Sequence, residues 1–266
     1  MFMRAAVYLV CLLAGGLTIA SAQGAGTSLV IWPVVPTIAA GTNTTALWLE
    51  NRGSAPVTLQ IRVVEWTTIA YDDMLVEDQD DVIASPPVAE IAPGRRQLVR
   101  LLRIGEPPVG REQAFRVIVD ELPSPAPLVE VRPASALGVN IRLRYSLPLF
   151  VYGDGLVAAR QTVVPEHARV AVPDLEWRVV GDSSQRWLHV RNTGSGHARL
   201  SHVRVTADDI ETPLSAGLLG YVLPGAERRW ALPPGGGTGA DLRVDADVNG
   251  RYQADIRPRA SSPDTR

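Results

Sequence analysis

Few residues in this sequence could carry out acid–base or metal chemistry. The four histidines are His167, His189, His197 and His202. No two of them have the spacing of metal ligands on one helix face, and no cysteine accompanies them, so no zinc site is predicted. His189 and His202 lie on predicted strands, where a histidine is usually partly buried and hydrogen-bonded. The adjacent carboxylates Asp120 and Glu121 would face opposite sides of a strand, which places them poorly for a catalytic pair.

Two glycine-containing segments also lack the features of catalytic motifs. Gly194-Ser195-Gly196-His197 is not a Gly-x-Ser-x-Gly elbow and lies in a predicted hairpin turn. The glycine-rich run 235–239 has neither a lysine nor a predicted helix after it, which favours a flexible loop over a phosphate-binding loop. The sequence therefore predicts a protein that is not an enzyme and that uses no cofactor and no metal.

The charged residues exclude further classes of function. All 26 basic residues are arginine, so a role that needs a lysine amine is excluded. The formal net charge is −2, which gives no basis for predicting nucleic-acid binding. The acidic run Asp72–Asp81 lacks the spaced carboxylates and the glycine of a calcium loop, and we expect a solvated loop there.

Residues 1–22 have the three parts of a secretory signal peptide. Arg4 supplies the positive charge, 5–20 is apolar, and Ala20-Ser21-Ala22 is a cleavage site of the A-x-A type. A membrane anchor is the alternative, although the apolar run of about 16 residues is shorter than the roughly 20 that a spanning helix needs. Cleavage would remove Cys11, the only cysteine. No later apolar segment is long enough for membrane insertion of the mature chain.

Short apolar runs separated by turn residues follow the signal, and no amphipathic helix of useful length occurs. This pattern predicts an all-β chain with two β-sandwich domains, at 23–149 and 150–259, and a disordered tail at 260–266. The segment 49–54 is echoed at 190–195, an offset of 141 residues, and both contain Asn-x-Gly-Ser after an apolar strand. Such a repeat is what two related sandwich domains would show.

Two predicted strands have features that bear on function. Leu29–Ile38 is apolar but contains Pro33 and Pro36, so it is predicted as an edge strand or as one that changes partners. Gly138–Phe150 alternates, and the apolar side chains on one face are those of Val139, Ile141, Leu143, Tyr145 and Leu147. That row either fills this protein's own core or is lent to another protein.

Three segments, in their order along the chain, resemble the periplasmic pilus-assembly (fimbrial) chaperones. They are Ser85–Gly94 with Gln97–Arg100, Ala114–Pro123, and the alternating strand with Leu147-Pro148. The resemblance covers about residues 29–150 and is nearest to the branch that serves spore-coat-U-type or archaic secreted pili. It implies immunoglobulin-like β-sandwiches, two domains in a boomerang arrangement, and a location in the periplasm.

The resemblance implies a chaperone that binds pilin subunits by donor-strand complementation and delivers them to an outer-membrane usher. A subunit that lacks its last strand exposes a hydrophobic groove, and the chaperone fills this groove with alternate side chains of its own strand. Here those side chains would be Val139, Ile141, Leu143 and Tyr145. The alternative is a secreted two-domain β-sandwich adhesin or structural pilus component, which would itself lack a strand.

The family also holds the subunit's C-terminal carboxylate with two basic residues in the cleft between the domains. One normally lies on the first strand, and the other is normally a lysine near the end of the last strand. This sequence has no basic residue in 29–38 and no lysine. The resemblance therefore implies an arginine anchor drawn from Arg116, Arg142 and Arg144, since a guanidinium can bind a carboxylate through two parallel hydrogen bonds.

Overall fold

The computed structural model describes residues 28–123, 142–159, 166–182, 184–238, 241–253 and 256–259. The predicted signal peptide at 1–22, the predicted tail at 260–266 and part of the strand predicted at 138–150 lie outside these residues. No helix long and apolar enough to cross a membrane occurs in the described ranges. Those ranges contain 20 strands, and the prediction of an all-β fold is confirmed.

Ten strands form the first sandwich. They are β1 (Leu29–Trp32), β2 (Thr37–Ile38), β3 (Thr44–Asn51), β4 (Val57–Ile69), β5 (Asp72–Val76), β6 (Val82–Ser85), β7 (Val88–Ile91), β8 (Arg96–Arg103), β9 (Glu112–Glu121) and β10 (Arg144–Tyr152). One sheet has the order β1-β3-β8-β6, and the other has the order β2-β10-β9-β4-β5, with β7 also paired to β4. The core between the sheets contains Leu59, Ile61 and Val63 of β4, because residues two apart on a strand point to the same face.

The remaining strands form the second sandwich and a small parallel pair. They are β11 (Leu156–Ala158), β12 (Arg169–Ala171), β13 (Leu175–Gly181), β14 (Arg186–Asn192), β15 (Ala198–Ala207), β16 (Ile210–Pro213), β17 (Leu218–Val222), β18 (Glu227–Ala231), β19 (Leu242–Val248) and β20 (Arg251–Gln253). The sheet β13-β14-β18 shares a core with the sheet β16-β15-β19-β20, in which β17 also pairs with β15. Strands β11 and β12 pair with each other in parallel.

The segment Leu29–Ile38 changes sheets. Strand β1 pairs antiparallel with β3, whereas β2 pairs in parallel with β10 in the opposite sheet. Pro33 and Pro36 lie in the irregular stretch between β1 and β2, where no ladder needs the N–H groups that proline lacks. The prediction was an edge strand or one that changes partners, and the structure shows both features, since β1 and β2 each lie at the edge of a sheet.

The expectation of a solvated loop over Asp72–Asp81 is wrong for its first half. Strands β4 and β5 form an antiparallel hairpin, and its turn uses Ala70 and Tyr71, both with positive φ. This is the backbone twist of a two-residue hairpin turn. Strand β5 is the edge strand of its sheet, and an edge position can leave carboxylates in solvent, so an acidic run is compatible with a strand.

The two histidines on predicted strands differ in burial. His189 on β14 is 5% exposed, and its Nδ1 lies 3.0 Å from Glu227 Oε1. His202 on β15 is mostly exposed and contacts Asp247. The predicted partial burial is therefore confirmed for His189 and wrong for His202.

The first copy of the repeated Asn-x-Gly-Ser segment is organised by a buried side chain. Asn51 is fully buried, and its Nδ2 donates to the carbonyls of Ala55 and Ile91, each at 2.8 Å. Its Oδ1 accepts the N–H of Gly53, also at 2.8 Å. One amide therefore joins the end of β3, the following turn and the end of β7.

The second copy repeats this arrangement. Asn192 is fully buried, and its Nδ2 donates to the carbonyls of Gly196 and Val222 at 2.8 and 3.0 Å. Its Oδ1 accepts the N–H of Gly194 at 2.9 Å. The weak sequence echo therefore reports an equivalent structural position, and the prediction of two related sandwiches is confirmed.

Candidate functional site

Strand β10 has an open edge along most of its length. Strand β9 covers one edge from end to end, but on the other edge β2 pairs only with Phe150 and Val151. In the described chain, no strand covers that edge over 144–149. The N–H of Phe150 donates to the carbonyl of Pro36 on this side. The N–H and C=O groups of successive residues point alternately to the two edges of a strand. The backbone groups of Ser146 therefore point to the same edge as those of Phe150 and are available to an incoming strand.

Of the four residues predicted to enter a partner's groove, Val139 and Ile141 lie outside the described residues. Leu143, just before β10, is half-buried, and the side chain of Tyr145 packs against the first core. Burial, and then the charge of Glu121, raises the pKa of the Tyr145 hydroxyl. Tyr145 thus contributes to this protein's own core, and the role of the four residues toward a partner stays a prediction.

Two of the three arginines predicted as an anchor lie at the start of β10. Arg142 is exposed, and Arg144 forms an ion pair with Asp120 on β9. Asp120 also accepts a hydrogen bond from Arg62 at 3.1 Å. Burial raises the pKa of Asp120, but the hydrogen bonds and charges of Arg144 and Arg62 outweigh burial and leave the pKa below its ordinary value. Arg144 therefore already has a carboxylate partner.

The third arginine, Arg116 of β9, lies against an aromatic ring. Its guanidinium carbon is 3.6 Å from the ring centroid of Trp66, and the residue is half-buried. Among the ion pairs of the described residues, none involves Arg116. Burial lowers the pKa of Arg116, and the charge of Arg228 acts in the same direction, whereas the charge of Asp73 opposes them.

The structure does not bring Arg116 and Arg144 into one pair. Arg116 is opposite Pro148 on β10, whereas Arg144 is opposite Asp120 on β9. The two positions are four residues apart along β10, or about 13 Å at a rise of about 3.3 Å per residue. Their side chains also have different neighbours, since Arg144 binds Asp120 and Arg116 stacks on Trp66.

Residues that sequence reasoning missed complete the surroundings of Arg116. Trp66 Nε1 donates to Asp73 Oδ1 at 2.9 Å, and Arg228 of β18 forms an ion pair with the same oxygen. The ring of Tyr221 on β17 lies edge-on to Trp66 at 5.2 Å. We call these five residues, Trp66, Asp73, Arg116, Tyr221 and Arg228, the arginine cleft. Three of them belong to the first sandwich and two to the second, so the cleft lies between the domains.

The tip of the β4–β5 hairpin reaches the second domain. The ring of Tyr71 lies 4.9 Å from the ring of His189 at an interplanar angle of 75°. The guanidinium of Arg229 lies 4.9 Å from Tyr71 and 4.7 Å from Trp187. These contacts brace the hairpin that carries Asp73, and so they help to fix the shape of the arginine cleft.

A buried carboxylate forms a further contact between the domains. Glu112 is 5% exposed, accepts the N–H of His197 at 3.1 Å and lies 2.9 Å from His197 Nδ1. The His197 ring stacks on Phe150 at 3.6 Å. Burial, followed by the charge of Glu112 and a hydrogen bond to it, raises the pKa of Tyr152 well above its usual range. The two sandwiches therefore share a small core, which stabilises their relative position.

The arginine cleft has the chemistry of a carboxylate site. The cleft contains two guanidinium groups and one carboxylate, so it carries an excess of positive charge, and the rings of Trp66 and Tyr221 line it. Arg228 and Asp73 are 155 residues apart in the chain, and no local motif marks either residue, which is why the sequence did not reveal them. Within the described residues, no group of three His, Cys, Asp or Glu side chains is placed to hold a metal ion.

Comparison with known proteins gives one family and one curated relative. The family model for the pili and flagellar-assembly chaperone, PapD N-terminal domain, matches residues 28–156. The chain is similar to the chaperone protein FimB/FhaD of Bordetella pertussis, with 31% identity over 144 residues, which are 52% of this chain and 58% of that protein. The aligned region thus spans little more than half the length of the curated relative.

Solved structures resemble the chain over most of its length. The chaperone–tip adhesion subunit complex CsuC–CsuE from the archaic Csu pili of Acinetobacter baumannii matches with a TM-score of 0.70 and 30% identity, covering 88% of this chain and 100% of that chain. The YadV chaperone matches with a TM-score of 0.59 and 20% identity, covering 85% and 96%. The Salmonella enterica complex of SafA pilin with the SafB chaperone matches with a TM-score of 0.55 and 19% identity, covering 85% and 92%. The last two likenesses concern the fold alone.

Proposed function

The chain belongs to the family of pili and flagellar-assembly chaperones, and we propose that it binds pilin subunits in the periplasm and delivers them to an outer-membrane usher. It does so without catalysing a reaction. In this proposal, it supplies a strand to an incomplete subunit and binds the subunit's terminal carboxylate in the arginine cleft. It thereby covers a hydrophobic surface that would otherwise aggregate.

The observation that carries this proposal is the guanidinium of Arg116, which has no ion-pair partner in the described chain and lies one strand from the open edge of β10. Main-chain hydrogen bonds along an open edge supply affinity, but they do little to determine the register of the incoming strand, because every residue offers the same groups. A fixed cation near that edge would set the register by binding the one carboxylate at the subunit's C-terminus.

The donor residues in this proposal are Val139, Ile141, Leu143 and Tyr145. They precede and enter β10 with the two-residue period of a strand, so their side chains would all enter the subunit's groove on one face. The half-buried state of Leu143 and the contact of Tyr145 with the first core suit a strand that passes from this protein's own core into a partner.

Arg116 is the proposed principal anchor. Arg142 and Arg144 belong to the same proposal as contacts to the subunit nearer the start of β10. Arg142 is exposed and can reach a partner directly, whereas Arg144 would have to release Asp120 first. The three arginines can therefore be ranked by experiment.

The test is co-purification of a cognate pilin subunit with single alanine variants of this chain. A charge-assisted contact contributes about 1.5–3 kcal/mol, so Arg116→Ala should weaken capture roughly ten- to hundredfold. Arg100→Ala is the matched control, because Arg100 is exposed on β8 in the opposite sheet. If Arg116→Ala melts like the wild type and still recovers as much subunit as Arg100→Ala, the anchor is not Arg116.

A further inference from the structure

The carboxylate within the arginine cleft belongs to the protein itself. The side chain of Arg228 is only 13% exposed, and its ion-pair partner in the described chain is Asp73. An arginine so nearly buried needs a carboxylate, because an unpaired charge there is costly. Asp73 therefore forms with Arg228 the ion pair that a bound subunit's terminal carboxylate would otherwise form.

Asp73 is also placed so that it could leave. It lies on β5, the edge strand of its sheet, and 41% of its side chain is exposed. A rotation about the side chain would turn the carboxylate into solvent without breaking a ladder. Arg228 has capacity for a different ligand, since its Nε is buried without a hydrogen-bond partner among the described residues.

Trp66 connects the two arginines. Its ring supports Arg116 on one face, and its Nε1 donates to the Asp73 oxygen that Arg228 also binds. A second carboxylate that arrived at Arg116 would enter next to Asp73, and two like charges so close repel each other. A carboxylate that binds Arg228 as well as Arg116 must therefore take the place of Asp73 at Arg228.

We propose that Asp73 is an internal competitor for the terminal carboxylate of the subunit, which displaces it from Arg228 while Arg116 binds the same carboxylate. This inference rests on the proposed function. It makes the cleft selective, because a small free anion must compete with Asp73 unaided, whereas a subunit's terminus is also held by strand pairing along β10. The competition lowers the affinity for the terminus and keeps Arg228 paired in the free protein.

The experiment measures binding of a peptide with the last roughly twelve residues of that pilin subunit, a length that can pair along the edge of β10. One form has a free C-terminal carboxylate, and the other is amidated. Asp73→Asn removes the charge but keeps an oxygen that can accept from Trp66. Asp72→Asn is the matched control, since Asp72 is the exposed neighbour on the opposite face of β5. Asp73→Ser is a second variant in case Asp73→Asn does not fold.

We expect Asp73→Asn to bind the free-acid peptide about tenfold more tightly than the wild type does, with no gain for the amide. Arg228→Ala should lose the preference for acid over amide, as Arg116→Ala should. If the wild type and both Asp73 variants bind the free-acid peptide with equal affinity, the inference is wrong. In that case, loss of the preference for acid over amide in Arg116→Ala would still support Arg116 as the anchor. A wild type that binds acid and amide equally would refute the anchor and the inference together.

Discussion

Replacing Asn51 with alanine should destabilise the first sandwich strongly while it leaves the second intact. The side chain is fully buried and makes three hydrogen bonds. Its loss leaves the carbonyls of Ile91 and Ala55 and the N–H of Gly53 without these partners. The Ile91 carbonyl is enclosed in the core, whereas Ala55 and Gly53 lie nearer to water.

The magnitude follows from that difference in burial. A buried group without a partner costs about 1–3 kcal/mol, and a group that water can reach costs about 1 kcal/mol or less. We therefore expect Asn51→Ala to lower the free energy of unfolding of the first sandwich by as much as about 3–5 kcal/mol. This is a large fraction of the stability of a typical domain, about 5–15 kcal/mol.

The assay is urea denaturation combined with hydrogen exchange resolved along the chain. A loss of about 4 kcal/mol with a slope near 2 kcal/mol per M moves the midpoint by roughly 2 M. Exchange should accelerate in β3, β7 and β8 for Asn51→Ala and in β14, β15 and β17 for Asn192→Ala. Asn43→Ala is the control, because Asn43 is exposed and should cost under about 0.5 kcal/mol. A loss for Asn51→Ala no larger than that of Asn43→Ala would refute the reasoning.

Further predictions concern the donor strand, the domain contact and the signal. Changing Ile141 and Leu143 together to threonine should cost the subunit complex about 3–6 kcal/mol and abolish co-purification, while the urea midpoint of the free protein stays near that of the wild type. Glu112→Ala should lower the free energy of unfolding by about 3–5 kcal/mol in urea melts and widen the distribution of interdomain distances in small-angle X-ray scattering, whereas Glu112→Gln should do less. Because burial and Glu112 raise the folded-state pKa of Tyr152, the wild type should lose stability as pH rises past about 10, the ordinary tyrosine value. Tyr152→Phe should lose less between pH 10 and 11 in alkaline melts, and equal losses would contradict this assignment. Mass spectrometry of periplasmic protein should find Gln23 at the N-terminus, and retention of the signal would show that the cleavage prediction is wrong.

Local patterns in the sequence were sufficient for much of the fold. The all-β fold follows from short apolar runs between turn residues, because the two-residue period of a strand depends on neighbouring residues alone. Pro33 and Pro36 predicted an edge strand or a change of partners in 29–38, because a proline's missing N–H is a property of the residue itself. The repeat around Asn51 and Asn192 indicated two related sandwiches for the same reason.

The acidic run from Asp72 shows where such reasoning fails. Its composition is typical of a solvated loop, and yet its first half is the edge strand β5. An acidic composition indicates that a segment is exposed to solvent, and an edge strand is exposed to solvent as a loop is. Only pairing with β4, which depends on the turn at Ala70 and Tyr71, distinguishes the two outcomes.

By itself, the sequence determined the all-β fold, the two related sandwiches and the alternating strand, because each is set by residues close together in the chain. The tertiary structure alone decided the composition of the arginine cleft. Asp73 and Arg228 meet across 155 residues of chain, and Arg116 stacks on Trp66 of the neighbouring strand and is separated from Arg144, with which the sequence had grouped it. Such long-range contacts depend on how the two domains pack against each other, and the spacing of residues within a strand or turn does not predict that packing.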